Sequence, residues 1–438
     1  MTTSTKPPSG TRDFLPGEIR RREHVIDVVR TVYERYGFEP LETPAFENIE
    51  TLLGKYGEEG NKLIFKILKR GEHESTGEAD LALRYDLTVP LARVVAQYQN
   101  ELPKFFKRYQ IQPVWRADRP AKGRFREFFQ CDIDSIGSKS AVIEAEILSA
   151  VSEILSTLGF TDFVIRLNHR GILSALLEEA GVAAPQHADA LVALDKLDKI
   201  GRDGVAREFA ARGIAESAGS KALAYFVDHK PFDVLGHAHE GVANLKAIEA
   251  FCEGTAAKGR LRIDSTLARG LSYYTGAIME IAVPDLAGSL GGGGRYDNLI
   301  GMFLGRDIPA CGFSLGLERI IVVMTERGMF PATIGGGPVD ALVTIWNDTS
   351  QADAISLARG LRLEGLRVEL YPEPDKLGKQ FKYASSRNVA FVTIVGDDER
   401  AAGTVSVKDM RSGEQQTLPR DEVAAFIRRA STSGISGT

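Results

Sequence analysis

The spacing of apolar and polar positions changes along the chain, and each change marks an element. From Gly17 to Tyr36 a 3.6-residue period puts Ile19, Val25, Ile26, Val29 and Val32 on one side with charges opposite. This predicts an amphipathic helix, closed by Gly37. Phe38 to Pro44 then reads as a short strand. The pattern fits an interface element and a plain surface helix with its loop equally well. Residues 108–116 and 125–136 carry strand patterns around the turn-rich basic stretch ADRPAKGR. A hairpin with a long loop is expected there, followed by a long helix from about Ser140 to Leu158.

Between about 170 and 255, alanine, leucine and charged residues recur at helical spacing, as in GILSALLEEAG, ADALVALDKLDKI and VAREFAAR. This predicts a mainly helical insertion. Strand signals return at 261–283, followed by GGGGRYDNL and a helix from about Ser314 to Arg327. Gly335, Gly336, Gly337 and Pro338 form the clearest linker. After it the strands DALVTIW, VELYP, AFVTIVG and TVSVKDM alternate with helices ending at Leu361, over 376–388 and over 420–430. Strands alternating with helices predict an α/β domain. The expected bounds are 1–334 and 338–430.

Bulk composition narrows the class. The 438 residues are 43% hydrophobic and 26% charged, as in ordinary globular chains. The formal charge is −5, so any nucleic-acid contact must come from local basic patches. Cys131, Cys252 and Cys311 are far apart and odd in number, which argues against a disulfide framework or a thiolate metal site. The polar start and the lack of an apolar run near ~18 residues predict a soluble, cytoplasmic protein with no membrane partner.

One local patch stands out. Lys104 to Arg126 holds eight bases (Lys104, Lys107, Arg108, Arg116, Arg119, Lys122, Arg124 and Arg126) against the single acid Asp118. Phe105, Phe106, Tyr109, Trp115, Phe125, Phe128 and Phe129 are interleaved with or follow them. A charge run is usually a solvated face, but these bases flank two strands. Strand alternation puts Arg126, Phe128, Gln130, Asp132 and Asp134 on one face of the second strand. Phe125, Phe129, Cys131 and Ile133 fall on the other, an apolar core face. Such a split suits a sheet packed on one side and facing a polar ligand on the other. A base can stack on the ring, and guanidiniums can grip phosphate in a fork.

Two further stretches carry candidates. LARGLSYYTG (267–276) holds Arg269, Tyr273 and Tyr274; alone it equally fits a strand bulged at Gly270. In residues 291–320 the glycine run is a weak phosphate signal without a GKS or GKT ending. Gly312 and Gly316 permit close backbone approach at a strand-to-helix junction. Arg319 lies in the first turns of that helix, where the dipole also favours an anion.

At these residues the chain resembles the histidyl-tRNA synthetases, of the class II aminoacyl-tRNA synthetase group, over nearly its whole length. GTRDFLP (10–16) with YGFEPLETP (36–44) resembles the opening segment and first class II motif. LRYDLTVPLAR (83–93) resembles the amino-acid-binding segment, and WRADRPAKGRFREFFQCDIDSIG (115–137) the second motif. LARGLSYYTG resembles the histidine-specific signature, and GFSLGLERI (312–320) the third motif. The resemblance implies an α/β chain with an α+β catalytic domain. In it an antiparallel sheet is flanked by helices and carries a helical insertion. A C-terminal α/β anticodon-binding domain follows.

It also implies roles. Arg116 holds the ATP α-phosphate and the amino-acid carboxylate. Arg319 clamps the far phosphates and covers one face of adenine, with Phe128 on the other. Asp118 and Arg124 serve the nucleotide. Asp86, Thr88 and Gln130 bind the α-amino group. Asp134 and Tyr274 read the two imidazole nitrogens beside Tyr273, and Arg269 sits against the α-phosphate, where related enzymes often place a metal ion. A ring with two polar nitrogens needs two polar partners, and a site built so rejects substrates lacking them. The implied activity joins histidine to tRNA(His) with ATP and Mg2+, in a homodimer.

Two positions depart from the family pattern. Ser272 stands where an acid usually precedes the tyrosines, and Ala121 replaces a polar residue in the loop facing the tRNA acceptor end. His237, His239 and Glu240 lack a further ligand nearby and are read as structural. Lys379 and Lys382, near Phe381 and Tyr383, fit an anticodon contact or a solvated helix face. The competing expectation is a non-catalytic regulatory subunit of ATP phosphoribosyltransferase. Such paralogues typically lose the anticodon domain and parts of the site. Arg116, Arg269, Arg319 and the C-terminal domain are all present here. A class II synthetase for another amino acid is disfavoured by Asp134 with Tyr274.

Overall fold

The computed structural model describes residues 4–69, 76–268, 273–331, 334 and 338–433. Contacts divide the chain into two compact units, Met1–Phe330 and Pro331–Thr438.

The first helix, Pro16–Arg35, begins with proline at a position whose N–H needs no partner. The Glu18 carboxylate accepts from the Leu15 N–H at 3.1 Å, while the Glu18 N–H donates to the Leu15 backbone oxygen at 2.9 Å. Val25, Val29 and Val32 are buried along one stripe, as the periodicity predicts, whereas Ile19 is exposed. Gly37, at φ +75°, turns the chain out of the helix. The strand expected over Phe38–Pro44 shrinks to β1 (Glu39–Pro40). A small antiparallel sheet, β2 (Phe46–Asn48), β3 (Lys66–Leu68) and β4 (Ala79–Leu83), follows in a segment whose pattern announced no strand.

The main sheet has eight strands. They are β1, β5 (Phe106–Trp115), β6 (Glu127–Ile136), β7 (Val164–His169), β8 (Leu261–Ile263), β9 (Ala277–Ala282), β10 (Ser289–Arg295) and β11 (Ala310–Gly316). Their spatial order is β1-β5-β6-β11-β10-β9-β7-β8. All pairs are antiparallel except β1 with β5 and β7 with β8. The expected hairpin is β5–β6, in register from Phe106 opposite Ile136 to Trp115 opposite Glu127. Pro113 is tolerated in β5 because β1 pairs only with Arg108 and Tyr109, leaving no ladder partner there. The helices Pro16–Arg35 and Val142–Thr157 pack on one core with Cys131 and Ile133 of β6. The insertion is helical, from Arg170–Ala180 to Glu240–Cys252.

The glycine run does not form a loop. Gly291 to Gly294 are interior residues of β10. A Cβ on Gly293 would stand 2.1 Å from the Gly312 carbonyl oxygen, and one on Gly291 2.4 Å from that of Ser314. Close strand approach explains the run. The helix expected from Ser314 starts later, at Leu317, because β11 continues through Gly316.

The second unit has a five-stranded sheet of β12 (Ala341–Val343), β13 (Val368–Leu370), β14 (Phe391–Ile394), β15 (Thr404–Asp409) and β16 (Gln415–Pro419). The order is β13-β12-β14-β15-β16, parallel among the first three and antiparallel thereafter. The strand β16 and the helix Asp397–Ala402 went unforeseen; the polar QQTLP hides its period. Of the linker glycines, residues 335–337 lie outside the described residues.

Candidate functional site

The polar face of β6 borders a cavity of about 230 Å³, closed by β10, β11, the loop before the helix Thr88–Gln97, and Tyr273, Tyr274 and Tyr296. Strand register places the side chains. Gly312 lies opposite Asp134, Ser314 opposite Asp132, and Gly316 opposite Gln130. A Cβ on Gly312 would meet the Asp134 carboxylate at 1.8 Å, so glycine makes room for that carboxylate. Gln130 Nε2 donates to Ser314 Oγ at 2.8 Å, and its buried Oε1 has no partner among the described residues. Such an orphaned acceptor suits a ligand's N–H.

On the other side of β6, Arg108 of β5 lies opposite Asp134. Its fully buried guanidinium is 2.8 Å from Asp134 Oδ2 and 3.9 Å from Asp132 Oδ2. The Tyr296 hydroxyl donates to Asp134 Oδ1. Burial pushes the Asp132 carboxyl up to about 7; Arg108 opposes the rise and Asp134 adds to it. Asp134 is raised by burial too, against the pull of Arg108 and the Tyr296 hydrogen bond.

Asp86 plays two parts. Its Oδ1 accepts from the Val89 N–H at 3.1 Å, satisfying the start of the helix Thr88–Gln97. The Tyr56 hydroxyl donates to the same oxygen at 3.0 Å and the Tyr273 hydroxyl to Oδ2 at 3.1 Å. Burial raises its pKa, opposed by the Val89 N–H and by Arg116. The Tyr274 ring meets that of Tyr273 edge-on at 5.1 Å. Burial, with Asp86, Asp132 and Asp134 nearby, holds the Tyr274 phenol far above its ordinary pKa, so it stays a donor.

The opposite end is cationic and aromatic. Arg116 donates to the Tyr85 carbonyl oxygen at 3.0 Å, and its guanidinium lies 4.3 Å from the Tyr85 ring and 5.2 Å from Phe128. Among the described residues it has no carboxylate partner. Arg319, three residues into the helix Leu317–Glu326, donates to the Ser289 carbonyl oxygen at 2.6 Å and to that of Gly123 at 3.4 Å. Asp118 and Arg124 pair at 3.2 Å. One end thus gathers three buried carboxylates, two of them flanking one buried arginine, fit for a cationic group, and the other offers arginines beside an aromatic plate, fit for phosphates and a base.

All the sequence-predicted site residues except Arg269 line this cavity: Asp86, Thr88, Arg116, Asp118, Arg124, Phe128, Gln130, Asp134, Tyr273, Tyr274 and Arg319. Arg269, Gly270 and Ser272 lie outside the described residues. Two assignments change. Phe125 and Arg126 precede β6, so strand alternation does not reach them. Phe125 borders the cavity rather than the core, and Arg126 donates to the backbone oxygens of Asp118 and Ser9. The basic run also disperses. Lys107 pairs with Glu146 and Lys122 with Glu326, while Arg108 serves as a buried counterion.

Sequence reasoning missed Tyr296, Ser314, Glu318 and the counterion role of Arg108. Tyr296, Ser314 and Glu318 lay within quoted motifs, but only the register shows which way they face. Ala121 and Arg124 bridge across the tip of the loop. His239 precedes the helix Glu240–Cys252 as its cap residue. In the second unit, Lys379 pairs with Asp375 at 2.8 Å and Lys382 is exposed.

Comparison with known proteins adds to this geometry. The family model described as histidyl-tRNA synthetase matches residues 10–320, and that described as anticodon binding domain matches residues 340–430. The histidine–tRNA ligase of Flavobacterium johnsoniae is 42% identical to this chain over 466 residues, covering 95% of this chain and 98% of its own. The crystal structure of histidyl-tRNA synthetase from Nostoc sp. PCC 7120 is similar with a TM-score of 0.81 at 33% identity, covering 98% of this chain and all of its own. A structure from Bacillus halodurans C, described as an ATP phosphoribosyltransferase regulatory subunit/histidyl-tRNA synthetase, shares the fold at 22% identity. Its TM-score is 0.71, over 88% of this chain and 97% of its own.

Proposed function

The chain belongs to the histidyl-tRNA synthetase family, and on that premise we propose that the cavity beside β6 is where it activates histidine for transfer to tRNA. The protein is a histidine–tRNA ligase. In the first step a histidine carboxylate oxygen attacks the α-phosphorus of ATP. The bond to the β-phosphate breaks, leaving histidyl-adenylate and pyrophosphate. In the second step a ribose hydroxyl at the tRNA 3′ end attacks the acyl carbon and AMP departs.

The observation that carries this reading is the polarity of the cavity. Asp86 and Gln130 hold the substrate ammonium with Thr88. Asp134 and the Tyr274 hydroxyl address the imidazole, beside Tyr273. Arg116 bridges the two reactants, and Arg319, Arg124 and Asp118 hold the nucleotide against Phe128. Negative charge developing on the α-phosphate meets guanidiniums already in place, the arrangement that lowers barriers most. Arg269 is assigned to the same phosphate by resemblance. Magnesium enters with ATP as part of the substrate. We assign the second unit to the anticodon, and we place the enzyme in the cytoplasm as a homodimer.

The regulatory alternative is disfavoured by the anticodon-binding domain at residues 340–430. Charging separates the two. Purified protein with ATP, Mg2+ and labelled histidine is expected to acylate tRNA(His) and not other tRNAs. A protein that binds histidine yet acylates no tRNA would be a regulator instead.

A further inference from the structure

The N-terminal residues 9–14 have no role in the chemistry above, yet they lie across the loop that carries its nucleotide residues. We propose that this segment is a strap that holds the loop 116–126 in place for ATP, with Arg12 as a positioning residue acting through Phe125. The inference rests on the assignment of that loop to ATP.

Three sets of contacts carry it. The first is backbone pairing. The Arg126 N–H donates to the Gly10 carbonyl oxygen at 2.8 Å, and Arg126 Nη1 to that of Ser9 at 3.2 Å. The same guanidinium reaches back to the Asp118 carbonyl oxygen at 3.1 Å, joining strap and loop through one side chain. Gly10 sits at φ +85°, and a Cβ there would stand 2.7 Å from Arg126 Cγ, so only glycine lets the strap lie this close.

The second is stacking. The Arg12 guanidinium lies 3.6 Å from the centre of the Phe125 ring and 4.8 Å from that of Phe14. Phe125 also borders the cavity. The loop's own Ala121–Arg124 bridge and Asp118–Arg124 pair order its tip, and the strap adds contacts at Phe125 and Arg126 that oppose the conformational entropy of its base. The third contact anchors the far end of the strap. Arg22 stacks on Phe14 at 4.1 Å and pairs with buried Glu318 at 2.8 Å, next to Arg319. The strap therefore ties together the loop and the helix, the two elements assigned to ATP. Arg116, which also serves histidine, begins the loop, but its side chain is held by the Tyr85 carbonyl oxygen and ring rather than by the strap. No contact described for Gly10, Arg12 or Phe14 reaches Asp86, Asp134 or Tyr274, so loss of the strap should act mainly on ATP.

The test is steady-state pyrophosphate exchange with the full-length protein, varying ATP and histidine separately. Arg12→Ala is expected to raise the KM for ATP about tenfold and to leave the KM for histidine within about twofold. Arg12→Lys, which keeps a cation over the ring, should recover most of the loss. Phe125→Leu should mimic Arg12→Ala, and the double variant should be no worse than the poorer single one. If Arg12→Ala does not fold, Phe125→Leu alone reads the same split. An unchanged KM for ATP, equal shifts in both KM values, or additive effects would overturn the proposal. Failure of the unaltered protein to exchange at all would reject the assignment to ATP instead.

Discussion

Arg116→Ala is expected to slow histidine-dependent pyrophosphate exchange by about 10²–10³-fold while leaving the chain folded. The side chain is half-buried, and its Nε–H holds only the Tyr85 carbonyl oxygen. Among the described residues its remaining N–H groups have no hydrogen-bond partner. Losing one hydrogen bond and a stack on Tyr85 should cost the fold roughly 1 kcal/mol, seen as a small drop in Tm. The catalytic loss should be larger, because the charge faces an α-phosphate that becomes more negative as the bond forms. Arg116→Lys should restore little, since an ammonium lacks the planar fork that spans a carboxylate and a phosphate. Exchange within a few-fold of the unaltered protein would remove Arg116 from the mechanism.

The second large effect is on stability. Arg108 is fully buried between Asp134 and Asp132. Arg108→Met leaves both carboxylates without their counterion, and breaking such a pair costs about 3–5 kcal/mol. The loss depends on pH. Burial raises the Asp132 carboxyl to about 7, so its contribution is fully present below the ordinary carboxylate range and is lost as pH rises through about 7. Arg108 opposes that rise, so its removal moves the folded-state pKa higher still. The deficit of the variant should therefore be small near pH 5, where Asp132 binds its proton in the fold, and should widen through and above pH 7. Urea unfolding of both proteins at acidic and alkaline pH reads this difference. An equal deficit at both ends would mean that Arg108 acts by packing alone.

Why Arg108 could not be read from the sequence shows where legibility ends. Its charge was visible within the basic run, but its partners lie on the neighbouring strand and are set by the β5–β6 register. Local alternation did place Phe128, Gln130, Asp132 and Asp134 on one face, because a strand has a fixed period of two. It failed at Phe125 and Arg126, where the strand had not yet begun. The helical insertion and the alternating second unit were legible because their periods run long. The small sheet β2–β4 was not, because each strand is short and its partners are distant in sequence. The glycine run read only as a weak phosphate signal, and Gly291 and Gly292 do border the cavity. The physical reason for the run is crowding between adjacent strands, which only the assembled sheet reveals. The histidine half of the site was read through resemblance, since nothing in the spacing of Asp86, Gln130, Asp134 and Tyr274 brings them together.

The central claim is that one cavity activates histidine and no other amino acid. The most direct measurement is pyrophosphate exchange into ATP, run with the full-length protein and each standard amino acid in turn. Exchange is predicted with histidine alone. No exchange with histidine, or equal exchange with several amino acids, would contradict the account.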